Sequence, residues 1–183
     1  MPELPEVETI VRELDQVLPG KKITAVSVLR AKSFVGDEKE LVGRTIVNVE
    51  RQSKMTVIGC ENYPKKLVIH LKMTGQLIYL SGTNRVVGGH PTPDWVNELP
   101  GKSTRVVIEF DNGAKLFFND LRVFGWLKLM KKEDWEKLTA KLPPDVTHRE
   151  FSLDYFRGVL AKSGRPIKLV LMDQAKFGGV GNI

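Results

Sequence analysis

Thr104-Arg-Val-Val-Ile-Glu-Phe-Asp-Asn-Gly-Ala-Lys-Leu-Phe-Phe-Asn119 reads as two β-type runs meeting at Asp111-Asn112-Gly113. Asn-Gly accepts the positive φ of a tight turn, so the stretch predicts a hairpin. Outwards from it, runs rich in Val and Ile recur: Ile23 to Leu29, Ile46 to Arg51, Thr56 to Cys60, Leu67 to Met73, Leu77 to Leu80 and Phe124 to Met130. Leu67, Ile69, Leu71 and Met73 alternate with Val68, His70 and Lys72, the pattern of a half-buried strand. About seven or eight strands of this kind predict a β-sandwich or flattened barrel. Ser81 to Lys102 holds Gly82, Gly88, Gly89, Pro91, Pro93 and Pro100, and reads as a long loop.

Helices flank the strands. Pro5 with Glu3, Glu6 and Glu8 makes a good helix start, because the glutamates face the positive end of the dipole. Val7, Ile10, Val11, Leu14 and Leu18 then form one apolar stripe, and Pro19-Gly20 stops it. Glu133 to Leu142 reads as helical and Leu142-Pro-Pro-Asp145 as a linker. Ser152 is a candidate N-cap for a helix through Ala161, and Arg165 to Gln174 is a further helix opened by Pro166. The fold class is α+β: an N-terminal helix on a two-sheet sandwich, with helices after it. Boundaries fall at 1–132, 133–150 and 151–183.

Composition narrows the partners. The apolar share is 42%, the charged share 27% and the net charge +6. A basic chain favours polyanions, nucleic acid first and acidic membrane second. Cys60 is the only cysteine, which excludes a disulfide framework and a cysteine-rich zinc site. No apolar run reaches the ~18 residues of a membrane span, and the acidic N-terminus is unlike a signal, so a cytosolic location is expected.

The first eight residues, Met1-Pro-Glu-Leu-Pro-Glu-Val-Glu8, point to chemistry. Methionine is usually removed ahead of a small residue, and removal leaves Pro2 with a free secondary amine. Such an amine titrates near ~8 and attacks an aldehyde carbon to form an iminium. Glu3 beside it can move protons at the same carbon. Packing of the first helix would hold both in place.

Four stretches carry a family resemblance. Pro2-Glu-Leu-Pro-Glu-Val-Glu-Thr9 resembles the N-terminus of bacterial formamidopyrimidine-DNA glycosylase, grouped with endonuclease VIII in one base-excision-repair family. His70-Leu-Lys-Met-Thr-Gly75 resembles the family's His-Leu-Gly-Met-Ser/Thr-Gly. Asn119-Asp-Leu-Arg-Val-Phe-Gly125 resembles Asp-Pro-Arg-Arg-Phe-Gly. Leu171-Met-Asp-Gln174 with Gly178-Gly-Val-Gly-Asn-Ile183 resembles the helix–two-turn–helix signature.

The resemblance implies a DNA glycosylase with abasic-site lyase activity, acting on oxidised or ring-opened purines such as 8-oxoguanine and formamidopyrimidines. Pro2 would be the nucleophile at C1′, Glu3 the acid/base at the sugar, and Lys54 a phosphate-binding helper. Met73, Arg122 and Phe124 would fill the stack a flipped base leaves. By residue type alone, Met73 and Phe124 read as core rather than as wedges. His70, Lys168, Gly181 and Asn182 would contact DNA, with Lys162, Arg165 and Lys176 adding charge nearby. The chemistry needs no cofactor. Zinc in the family is structural, and the finger that holds it is absent here, so no metal residue is assigned. The resemblance also implies damaged double-stranded DNA as the partner and a monomeric protein.

Lys72 stands where the family has glycine, Leu121 where it has proline and Val123 where it has a second arginine. Ser103 and Arg105 replace frequent histidines, while His90 and His148 read as structural. The Gly-Gly-Val-Gly turn looks like an entrance to another helix, so the natural protein is expected to continue or to be shortened. The competing reading is a non-catalytic or partner-dependent DNA-binding fragment.

Overall fold

The computed structural model describes residues 2–182. Met1, whose removal is expected, and Ile183, the last residue of the fourth resemblance, lie outside the described residues. The first element, α1 (Leu4–Val17), opens one residue earlier than its sequence predicts. Glu3 is the N-cap: its side chain accepts from the Glu6 amide, and its own N–H donates to Glu6 Oε2 at 2.9 Å. This reciprocal box satisfies two donors that the helix start would leave orphaned. Leu4, Val7, Ile10, Val11 and Leu14 are buried. Each contributes roughly 1.5–3 kcal/mol, against about 1 kcal/mol for a cap. Packing therefore dominates in fixing the residues that precede the helix.

Ten strands follow among the described residues. They are β1 (Ile23–Val28), β2 (Phe34–Val35), β3 (Ile46–Gln52), β4 (Met55–Cys60), β5 (Lys66–His70), β6 (Gly75–Ser81), β7 (Asn84–Gly89), β8 (Thr104–Phe110), β9 (Lys115–Asp120) and β10 (Trp126–Met130). One sheet has the order β1-β8-β9-β6-β7 and the other β2-β10-β5-β4-β3. The Asn112-Gly113 hairpin is present, with Gly113 at φ +79°. Leu77, Tyr79, Val106, Ile108 and Phe118 of the first sheet share a buried cluster with Ile58, Leu67, Ile69 and Leu127 of the second. The molecule is thus a helix on a two-sheet sandwich. The helix packs on β3 and β7, an edge strand of each sheet.

Four sequence expectations are corrected. Ser81 to Lys102 is not one loop, since β7 pairs antiparallel with β6. Gly88, which reads as a breaker, serves the packing: a Cβ on it would fall on the Ile10 side chain of α1. Strand β5 ends at His70, and residues 71–74 turn, with Lys72 at φ +53°. Nor is β5 half-buried. Val68 is fully buried on the face opposite the sandwich core, with Met55, Val57 and Met130, under Trp135, Leu138 and Leu142. Strand β10 begins at Trp126, leaving Phe124 outside it.

The remaining helices are α2 (Lys132–Thr139), α3 (Leu153–Ala161) and α4 (Ile167–Leu171), so α2 and α4 are shorter than predicted. Ser152 caps α3, its hydroxyl accepting from the Tyr155 amide at 3.1 Å. Phe177 is fully buried against Phe151, Tyr155 and Phe156, which docks the C-terminal segment on α3.

The Gly88 contact yields a stability prediction. Gly88→Ala overpacks the seat of α1 and lowers stability by about 1–3 kcal/mol. Urea unfolding reads this as a fall in midpoint, and an unchanged midpoint would contradict the close approach.

Candidate active site

A cleft of about 660 Å³ opens over the outer face of the second sheet. Pro2, Lys54, His70, Met73, Trp126 and Leu138 are among the residues lining it. Pro2 is buried in its wall. Glu3 is 8% exposed, and its Oε1 accepts from the Asn182 amide at 2.7 Å. Chain positions 3 and 182 therefore meet. Two glycines permit the approach. A Cβ on Gly181 would land on the Glu3 carboxyl, and Gly179, at φ +99°, leaves no room beside Leu4.

Lys54 sits in the turn between β3 and β4, after Ser53 at φ +54°. It is buried, and its ammonium donates to the Val180 carbonyl at 2.9 Å. Burial holds its pKa below the usual lysine value, against the pull of the Glu3 and Glu6 carboxylates. A cation this starved of solvent is ready to exchange a carbonyl for a stronger anionic partner.

His70 stacks at a tilt on Trp126, with ring centroids 5.7 Å apart. Burial, with Lys72 and Lys54 adding like charge, pushes its pKa down to about 4. The imidazole is neutral at pH 7. Its Nδ1 accepts from the Lys72 amide at 3.0 Å, so its one hydrogen sits on Nε2.

Met73, Arg122 and Phe124 come together at the surface. Arg122 donates to the Met73 sulfur at 3.3 Å, and its guanidinium lies 4.7 Å from the centre of the Phe124 ring. Met73 is 40% exposed and Phe124 47%, so neither is the core residue its type suggests. Asp120 organises them and escaped the sequence reading. Fully buried, it accepts from the Thr74 hydroxyl, the Arg122 amide at 3.2 Å and the Gly125 amide at 2.7 Å. A carboxylate that short of water needs such donors, which is why two loops close on it.

The departures from the family pattern acquire a geometry. Lys72, at φ +53°, occupies backbone that glycine adopts without strain. Val123, at φ +56°, is a β-branched residue in the same left-handed region. The Gly178–Asn182 turn is less open than a free phosphate cradle, because the Gly178 amide donates to Pro144 and that of Asn182 to Glu3. Lys168 is exposed on α4, apart from the residues that line the cleft. The His148 amide donates to the Asp145 carbonyl in a local turn, and the His90 carbonyl accepts from the Gln76 side chain of β6.

A family model described as the formamidopyrimidine-DNA glycosylase N-terminal domain matches residues 1–127. The chain belongs to that family. The formamidopyrimidine-DNA glycosylase of Herpetosiphon aurantiacus is 33% identical over 189 residues, covering 100% of this chain and 64% of the relative. That of Streptococcus pneumoniae is also 33% identical, covering 100% and 63%. Lactococcus lactis Fpg, solved in complex with DNA containing an abasic site, superposes with a TM-score of 0.82 at 28% identity, covering 100% of this chain and 64% of that one. The chain thus spans 63–64% of the length of these formamidopyrimidine-DNA glycosylases. No three His, Cys, Asp or Glu side chains gather among the described residues, and burial pushes the Cys60 thiol up to about 11.

Proposed function

We propose that this chain is a base-excision DNA glycosylase and abasic-site lyase acting through Pro2. The observation that carries this reading is the burial of Pro2 in the wall of a cleft that Lys54 also lines. The neutral amine attacks C1′ of an extruded oxidised or ring-opened purine nucleotide, and the C1′–N bond breaks as the base takes a proton. Glu3 delivers a proton to O4′ as the C1′–O4′ bond opens to give the iminium, and it removes protons at the sugar. Loss of a C2′ proton from the iminium expels the 3′ phosphate by β-elimination. A second elimination at the 5′ side releases the sugar remnant, and water restores the amine.

Lys54 exchanges the Val180 carbonyl for a phosphate oxygen. Met73 and Phe124 enter the vacated stack, and Arg122 bonds the orphaned base. His70 donates through Nε2, while Lys168, Gly181 and Asn182 track the backbone. Residues 1–132 act as the catalytic sandwich, 133–150 as helix and linker, and 151–183 as part of a helix–two-turn–helix element.

Borohydride reduction with a duplex holding one abasic site tests the reading. Chain lacking Met1 by intact mass gains the mass of the DNA, and failure to do so at any pH overturns it. The chain's 63–64% span of its relatives favours a second reading, a DNA-binding module without turnover. In that case duplex binding persists with no adduct.

A further inference from the structure

Arg51 has no part in the chemistry above. It lies three residues before Lys54, and its side chain is only 8% exposed. One guanidinium ties its own turn to two distant parts of the chain. Nε donates to Glu8 of α1 at 2.5 Å. Nη1 donates to the Ser53 carbonyl at 2.9 Å and to Asp145. Nη2 donates to the Thr147 hydroxyl at 2.9 Å.

Two routes run from this hub to the reacting groups. The short one passes through Ser53, the residue before Lys54. The long one passes through Asp145. That carboxylate is 4% exposed and accepts from the Thr147 amide at 3.0 Å and its hydroxyl at 2.8 Å. Beside it, the Val146 amide donates to the Gly178 carbonyl at 3.2 Å, and the Gly178 amide to Pro144 at 3.3 Å. Gly178 begins the strip whose Val180 carbonyl meets Lys54 and whose Asn182 amide meets Glu3. Burial alone would raise the Asp145 pKa, but Arg51 and Thr147 hold it below the usual value. The hub is therefore ionised at working pH.

We propose that Arg51 is a positioning residue: through Ser53 and Asp145 it sets Lys54 and Glu3 for the reaction at Pro2 without touching substrate. The proposal rests on the functional reading above. A planar fork can address Glu8, Ser53, Asp145 and Thr147 together, whereas a lysine ammonium is a single point charge on a flexible stem. Loss of the fork leaves the residues in place but lets the turn and the strip drift. A drift of about 1 Å at reacting groups can reduce rate ~100-fold.

The test uses the whole chain as Arg51→Lys and as Asp145→Asn, which keeps an acceptor oxygen but no charge. Adduct formation on the abasic duplex is timed under borohydride, at saturating and at limiting DNA. Both variants are expected to fold and to bind the duplex with wild-type affinity, yet to form adduct about 10- to 100-fold more slowly at saturation. Added propylguanidinium is expected to restore rate to Arg51→Ala, and propylammonium to leave it unchanged. Wild-type rate at saturation in either folded variant, or a loss confined to affinity, overturns the proposal. Failure of both variants to fold assigns Arg51 a purely structural role and overturns it too. An absence of adduct in wild type lacking Met1 instead sinks the functional reading itself.

Discussion

A chain extended by a few residues ahead of Pro2 folds and binds an abasic duplex, yet gives no adduct with borohydride. The extension turns the proline nitrogen into a peptide nitrogen, whose lone pair is delocalised and cannot attack carbon. The cleft keeps its lining, so binding survives. The expected fall is on the order of 10⁴-fold or more, the scale seen when a covalent nucleophile is removed. The experiment also separates two candidate amines. Lys54 is buried on the same cleft with its pKa held below the ordinary value, a state that makes a lysine nucleophilic. Adduct from the extended chain would transfer the nucleophile's role from Pro2 to Lys54.

Glu3→Gln is expected to slow release of a damaged base by 10²- to 10⁴-fold, the range of a lost general acid–base. Glutamine keeps one carbonyl oxygen that can accept from the Asn182 amide, and the backbone N–H of residue 3 still donates to Glu6 at the start of α1. Folding should therefore be unchanged, as thermal unfolding will read. What disappears is a carboxyl that can take and return a proton. The fall is expected to be smaller on a preformed abasic site, where the sugar already opens to an aldehyde without enzymic acid. Equal rates for Glu3→Gln and wild type on a damaged-base duplex would remove Glu3 from the chemistry.

The sequence displays these features unevenly, for physical reasons. Helix α1 is legible because Val7, Ile10, Val11 and Leu14 follow the helical period and a proline and glycine close it. The hairpin at Asn112-Gly113 is legible because only a few residues tolerate its backbone. Strand β7 is hidden because Gly88 answers to a helix 78 residues away in sequence, at Ile10, and Gly89 to the backbone of β6. Val68 was misplaced because a second apolar layer, under Trp135 and Leu138, covers the face assigned to solvent. The site divides in the same way. Pro2, Glu3, Lys54 and the Met73–Arg122–Phe124 group come from resemblance and residue chemistry, and the fold gathers them. Arg51, Asp120 and Asp145 carry no local signal. Their importance lies in partners up to 96 positions distant, as for Arg51 and Thr147.

The interleaving of the two sheets bears on synthesis. The first sheet needs β9, which ends at Asp120, and the second needs β10, which ends at Met130. Helix α1 rests on a strand from each. During translation at about 5–20 residues per second, neither sheet can close for roughly 6–25 s after the N-terminus emerges. Through that interval Pro2 trails in solvent on an unseated helix, and afterwards it is walled into the cleft. Any methionine excision on the ribosome therefore has a wide opening in time, set by the order in which the chain is made.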